Sequence, residues 1–226
     1  MRSVFPILGL TFPAFMLAAA SARAAPLKVA CAGSTSVSGM GSSEGHHICD
    51  ELGKALGPGF VVRGFGVRGS TALKSGPNTW ISTPQMRDAL AFNPDVVLFW
   101  FGGVETWKDI WPAHKGDFQA DYTSLVRTFQ ALPTHPKTFL IRLWVFKEGP
   151  SQRAVLDQEI IPTIDRVAAD TSSTVIDYRK FIEGHPEWFP DGMHASDTGT
   201  AIIGKFFAEQ VTAALKAGSR PHQTKR

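Results

Sequence analysis

Asp191 stands three residues before His194 in the stretch FPDGMHASDTG, residues 189 to 199. A carboxylate at that reach accepts the imidazole N–H, fixes one tautomer and leaves the other ring nitrogen free to take a proton, which is the chemistry of a general base. Such a pair needs a nucleophile, and the chain offers a dense hydroxyl cluster near its other end. In KVACAGSTSVSG, residues 28 to 39, an apolar run breaks into glycine and serine or threonine. Ser34, Thr35 and Ser36 are neighbouring hydroxyls that compete for the attacking role. Glycine and hydroxyls at a strand end also suit a phosphate, but no lysine follows at P-loop spacing.

Two other motifs imply neither cofactor nor metal. GFGVRG, residues 64 to 69, has the spacing of a dinucleotide fingerprint, yet Gly76-Pro77 interrupts the chain where the required helix should run. Its glycines are better suited to tight turns and to exposing backbone N–H groups beside a site. EGHHICDE, residues 44 to 51, sets His46 with Asp50 and His47 with Glu51 at helical i,i+4 spacing, but no third ligand accompanies them. A solvated helix start with acids in its first turn is the simpler reading.

The elements that must position these residues follow from periodicity. Apolar runs at 27–32, 60–63, 95–101, 138–144 and 174–177 read as strands, several of them apolar throughout and so covered on both faces. Amphipathic helices are expected near 45–56, 83–92, 117–131, 151–170 and 196–216. In the last, Ile202, Ile203, Phe206, Phe207, Val211 and Leu215 form one stripe. This alternation predicts a three-layer α/β/α sandwich on a five-stranded parallel sheet, flavodoxin-like, with function in the loops at the carboxyl ends of the strands. The proline-containing stretch 107–118 reads as a long loop forming a pocket wall. Of the tryptophans at strand ends, Trp100 and Trp144 read as core, while Trp107 and Trp111 are available to stack on a ligand.

At 226 residues the chain has the length of one domain with a sizeable core. Met1-Arg2, an apolar stretch through Ala20 and the A-x-A-like Ala22-Arg23-Ala24 have the layout of a cleaved signal peptide over 1–24, leaving no stable membrane span. A domain over 25–217 and a basic tail over 218–226 follow. A formal charge of +3 with scattered basic residues points away from nucleic acid. Cys31 and Cys49 are too few for a disulfide framework, although an exported chain could pair them.

Four segments, in order, resemble the SGNH (GDSL-type) hydrolase superfamily, and within it the sialate O-acetylesterase-like or GDSL-like acylhydrolase branch. Asp191-Gly192-Met193-His194 matches the family's Asp-x-x-His before the final helix. GFGVRGST, residues 64 to 71, resembles the second block, whose glycine, here Gly69, lends an N–H to the oxyanion. The family's Gly-Asp-Ser falls on Gly33-Ser34-Thr35, placing Thr35 at the nucleophile position with Ser34 as the alternative. Its Gly-x-Asn-Asp falls on Gly102-Gly103-Val104-Glu105, placing Val104 where the family has an amide donor. The resemblance implies an exported, cofactor-free and metal-free esterase, in the periplasm or secreted, acting on O-acyl esters of carbohydrates or small molecules through Thr35, His194 and Asp191. The alternative is an impaired relative that binds a glycan or acylated ligand.

Overall fold

The computed structural model describes residues 25–143 and 149–218. In chain order these form β1 (Leu27–Gly33), α1 (Ile48–Leu56), β2 (Phe60–Gly66), α2 (Pro84–Phe92), β3 (Val96–Trp100), α3 (Trp111–His114) and α4 (Phe118–Gln130). There follow β4 (Lys137–Arg142), α5 (Pro150–Val155), α6 (Ile161–Asp170), β5 (Thr174–Asp177), α7 (Tyr178–Ile182) and α8 (Asp197–Gly218). All strand pairs are parallel, in the order β2-β1-β3-β4-β5. The strand order reverses between β1 and β3, the switch point beyond which sheets of this kind open a crevice.

Continuous apolarity makes β3 a central strand. Val96, Val97, Leu98, Phe99 and Trp100 are all buried, and successive side chains serve opposite layers. Phe99 packs edge-on against Tyr122 and Phe129 of α4, with centroids 6.4 and 5.3 Å away. Trp100 meets Tyr178 and Phe207 of α7 and α8 at 4.8 and 5.2 Å. Truncating either ring would cost about 3–5 kcal/mol. The α8 stripe is led by Ile203, Phe207 and Val211, which are buried, while Ile202, Phe206 and Leu215 flank it half-buried.

The five expected strands are present, and the differences from expectation are local. Residues 150–170 wind as α5, a π turn over Leu156–Ile160, and α6. Pro162 has no N–H to offer the carbonyl four residues back, and the helix widens just ahead of it. The first helix begins at Ile48 rather than 45, because Gly45 takes a positive φ of 78° and the His47 N–H is turned to Asp50 Oδ2, 3.1 Å away. His46 therefore precedes the helix, whose first turn carries Asp50 and Glu51 as expected, and neither histidine pairs at the i,i+4 spacing. His46 Nδ1 instead lies 2.9 Å from Glu51 Oε1, and His47 Nδ1 3.1 Å from Ser42 Oγ.

The loop 107–118 contains the single turn α3, which buries Trp111 against Phe118 and removes it from any stacking surface. Cys31 and Cys49 are both buried free thiols. No helix among the described residues is long and apolar enough to cross a membrane. The leader expected over 1–24, Trp144 and positions 219–226 of the expected tail lie outside the described residues.

Candidate functional site

Gly33, the last residue of β1, sits opposite Gly66 of β2 and Trp100 of β3, so the loops after all three strands leave the sheet at one level. The hydroxyl loop after β1 is wound tightly. Ser34 N–H donates to the Trp100 carbonyl at 3.3 Å, Ser38 N–H to the Ser34 carbonyl at 3.1 Å, and Ser38 Oγ to the Thr35 carbonyl at 2.8 Å. This winding turns Val37 into the core and leaves Thr35 and Ser36 half-buried, whereas Ser34 is only 8% exposed. Ser34 Oγ lies 3.5 Å from Thr35 Oγ1, at the limit of a hydrogen bond.

The loop after β2 meets this hydroxyl directly. Gly69, at φ 70°, closes a turn in which Ser70 N–H reaches the Val67 carbonyl, and its own N–H donates to Thr35 Oγ1 at 3.1 Å. That φ suits glycine because a side chain would be strained there. β2 runs through Gly66 and the next α-helix begins only at Pro84, so the local structure needed to cradle a pyrophosphate is missing.

The base and its orienter come from the loop before α8. His194 Nδ1 lies 2.6 Å from Asp191 Oδ2, while Asp191 Oδ1 accepts the backbone N–H groups of Met193 and His194 at 2.8 and 2.7 Å. Partial burial opposes ionisation of Asp191, but these hydrogen bonds prevail and hold its carboxyl down at about 2. The imidazole is 10% exposed, and its Nε2 has no hydrogen-bond partner among the described residues. Donation from Nδ1 places the lone pair on Nε2, the form a general base requires.

Gly41 joins the two halves. At φ 94°, a Cβ there would fall 2.5 Å from His194 Cβ, so only glycine lets the hydroxyl loop lie against the histidine loop. Ser43 adds a second tie, its N–H and hydroxyl each donating to the Asp197 carboxylate at 2.7 Å. No hydrogen bond joins His194 to Ser34, Thr35 or Ser36 among the described residues. Such bonds often tighten only when substrate is present.

The loop after β3 carries no side-chain donor at the family position. Gly103 caps the short turn Val104–Thr106 and accepts the Thr106 hydroxyl at 2.6 Å. Val104 is 6% exposed and fills core space. Sequence reasoning missed the role of its neighbour. Glu105 is fully buried, with Oε1 accepting Ala72 N–H at 2.7 Å and Oε2 accepting Gly102 N–H at 2.9 Å. Burial pushes its carboxyl from 4.5 up to about 7 against the opposing pull of backbone N–H groups, including these two. The one signal in the sequence was an acidic residue closing the third block.

The site thus holds a hydroxyl that accepts from a backbone donor and, on the loop before α8, an imidazole oriented by a carboxylate. The model of the GDSL-like lipase/acylhydrolase family matches residues 20–202, and the chain belongs to that family. An acetylxylan esterase of Xylanibacter ruminicola is 27% identical over 214 residues, spanning 84% of this chain and 43% of that protein, so the chain spans less than half of this relative. Among solved structures, the psychrotrophic esterase EstA from Pseudoalteromonas sp. superposes with a TM-score of 0.65 at 16% identity, covering 84% of this chain and 98% of its own. A two-domain esterase active on acetylated mannans, crystallised with mannopentaose, gives 0.61 at 19%, over 89% of this chain and 53% of its own.

Proposed function

We propose that the protein is an exported acyl-ester hydrolase acting on O-acetyl groups of carbohydrates, with Thr35 as nucleophile, His194 as base and Asp191 as its orienter. Thr35 Oγ1 attacks the acyl carbon while its proton passes to His194 Nε2, and the carbonyl oxygen becomes an oxyanion facing Gly69 N–H. His194 then returns the proton to the departing sugar hydroxyl, leaving an acyl ester on Thr35. Water attacks that ester, again giving its proton to His194, and the acid leaves as the threonine hydroxyl is restored. The observation that carries the reading is the 3.1 Å contact of Thr35 Oγ1 with Gly69 N–H, which singles Thr35 out from Ser34 and Ser36. The acetylxylan esterase relative supports the substrate class, and the layout of residues 1–24 supports export.

Turnover of 4-nitrophenyl acetate and of acetylated xylan tests the proposal. Thr35→Ala and His194→Ala should each abolish both, and a fluorophosphonate probe should label Thr35. Turnover that survives Thr35→Ala, or a label on Ser34 or Ser36, would overturn it. A second reading, a glycan-binding relative without turnover, is favoured by Val104, which leaves the oxyanion without a side-chain amide. Loss of one such donor costs about a hundred- to a thousandfold. Under that reading the probe labels nothing, and acetylated xylan binds unchanged.

A further inference from the structure

Among the described residues Trp107 is the one large aromatic side chain that is exposed, at 44%. It follows the turn Val104–Thr106 beyond β3, and it borders a concavity of about 400 Å³ together with Lys108, Asp109, Ser151 and Gln152. Ser151 and Gln152 belong to the start of α5 beyond β4. The depression thus lies between the turn after β3 and the start of α5, on the carboxyl side of the sheet, and its volume falls within the ~300–1,000 Å³ of small-ligand sites.

We infer that this concavity is a subsite for a neutral sugar ring of the acylated glycan, with Trp107 as its stacking platform. The chemistry of the lining selects that ligand. A flat apolar face suits the C–H face of a pyranose, and the surrounding groups suit its rim of hydroxyls, each of which both donates and accepts. Lys108 donates, Asp109 accepts, and Ser151 and Gln152 do both. An anionic ligand would meet Asp109 and a cationic one Lys108, so a neutral polyol is the class that satisfies all four. A bare acyl chain would find one apolar face only.

The platform is preorganised, which lowers the cost of binding. Trp107 N–H donates to the Val104 carbonyl at 3.2 Å, and the Trp107 carbonyl accepts the N–H groups of Ile110 and Trp111, both at 2.9 Å. The Ile110 and Trp111 side chains are buried, so the backbone that carries the indole is tied to residues anchored in the core.

For the acyl group the inference rests on the hydrolase reading; for the sugar ring it does not. The test is therefore run twice, as binding and as turnover. Calorimetric titration of the full chain with unacetylated xylopentaose and with mannopentaose should give measurable affinity for at least one, weakened tenfold or more in Trp107→Ala and partly retained in Trp107→Phe. In turnover, Trp107→Ala should lower kcat/KM on acetylated xylo-oligosaccharide at least tenfold more than on 4-nitrophenyl acetate. Equal affinity of wild type and Trp107→Ala, binding of neither glycan by the wild type, or equal losses on the two esters would overturn the subsite. Trp107-dependent binding without any turnover would retain the subsite and reject the hydrolase, so the two failures are distinct.

Discussion

Removing the charge at Glu105 makes the sharpest prediction for the fold around the site. Its carboxyl is fully buried and pushed from 4.5 up to about 7. The folded state therefore holds the proton more tightly than the unfolded chain between those two values. The stabilising contribution is fully present below about pH 4.5, is lost as pH rises toward 7, and is gone above it. At about 1.36 kcal/mol per pH unit, the loss across that window is on the order of 3 kcal/mol. Asp191 acts in the opposite sense, its depressed carboxyl contributing stability above about 3.8 and losing it toward 2, so the two windows do not overlap.

Glu105→Gln keeps the shape and abolishes the titration. The amide oxygen can accept from Ala72 or Gly102 but not both, and the orphaned N–H costs about 1–3 kcal/mol. Urea unfolding followed by tryptophan fluorescence, at constant ionic strength from pH 4.5 to 8, measures both effects. The stability of wild type minus variant should shrink by roughly 3 kcal/mol across the range, whatever its starting value, with the denaturant slope unchanged. A difference that stays constant to within about 0.5 kcal/mol would refute the reasoning. It would mean that the two N–H bonds keep the carboxylate ionised throughout.

Four other outcomes follow. Under the proposed mechanism Val104→Asn should raise turnover of an aryl acetate by about ten- to a thousandfold, because it would add an amide to an oxyanion otherwise held by a backbone donor; steady-state kinetics reads it. Asp191→Asn should lower kcat at least about a hundredfold, since the amide cannot accept from His194 Nδ1 while holding the backbone N–H groups as the carboxylate does. Gly41→Ala, at φ 94° and against His194 Cβ, should lower the melting temperature and the turnover together, with about 1–3 kcal/mol lost. Cys31 and Cys49, both buried, should be silent to a thiol reagent in the folded chain and titrate as two thiols in denaturant, a count that falls to none if they are oxidised together.

The sheet was legible because its signal is local. β3 is apolar at every position, and the α8 stripe repeats at three and four residues, so each declares its environment without reference to the rest of the chain. Asp191 and His194 were legible for the same reason, being three residues apart. Glu105 was not, because its role depends on Ala72, thirty-three residues earlier, and on a burial that an acidic residue does not advertise. The pairing of His46 with Glu51 rather than Asp50 escaped because it turns on one backbone angle at Gly45. Trp111 escaped similarly: α3 turns inward a tryptophan whose place in the loop after β3 had suggested a ring free to stack.

The two halves of the site have not changed equally. The base half matches its motif and is overdetermined, with Asp191 holding one ring nitrogen and two backbone N–H groups, Gly41 seated against His194, and Ser43 tied to Asp197. On the proposed mechanism the acyl half departs from its motifs at Ser34, Thr35 and Val104 and relies on the Gly69 N–H, while Glu105 holds the N–H groups of Ala72 and Gly102 nearby in sequence. In the resting geometry Thr35 Oγ1 occupies the Gly69 N–H, so under the proposed mechanism a substrate carbonyl must displace it before attack begins. A threonine is the costlier residue for this exchange, because its methyl restricts rotation about χ1. Thr35→Ser should therefore raise kcat more than it lowers KM, and Thr35→Ser with Val104→Asn should exceed the product of the single effects, because both act on the same oxyanion. Strict multiplicativity of the two rates would show that hydroxyl and amide act on separate steps.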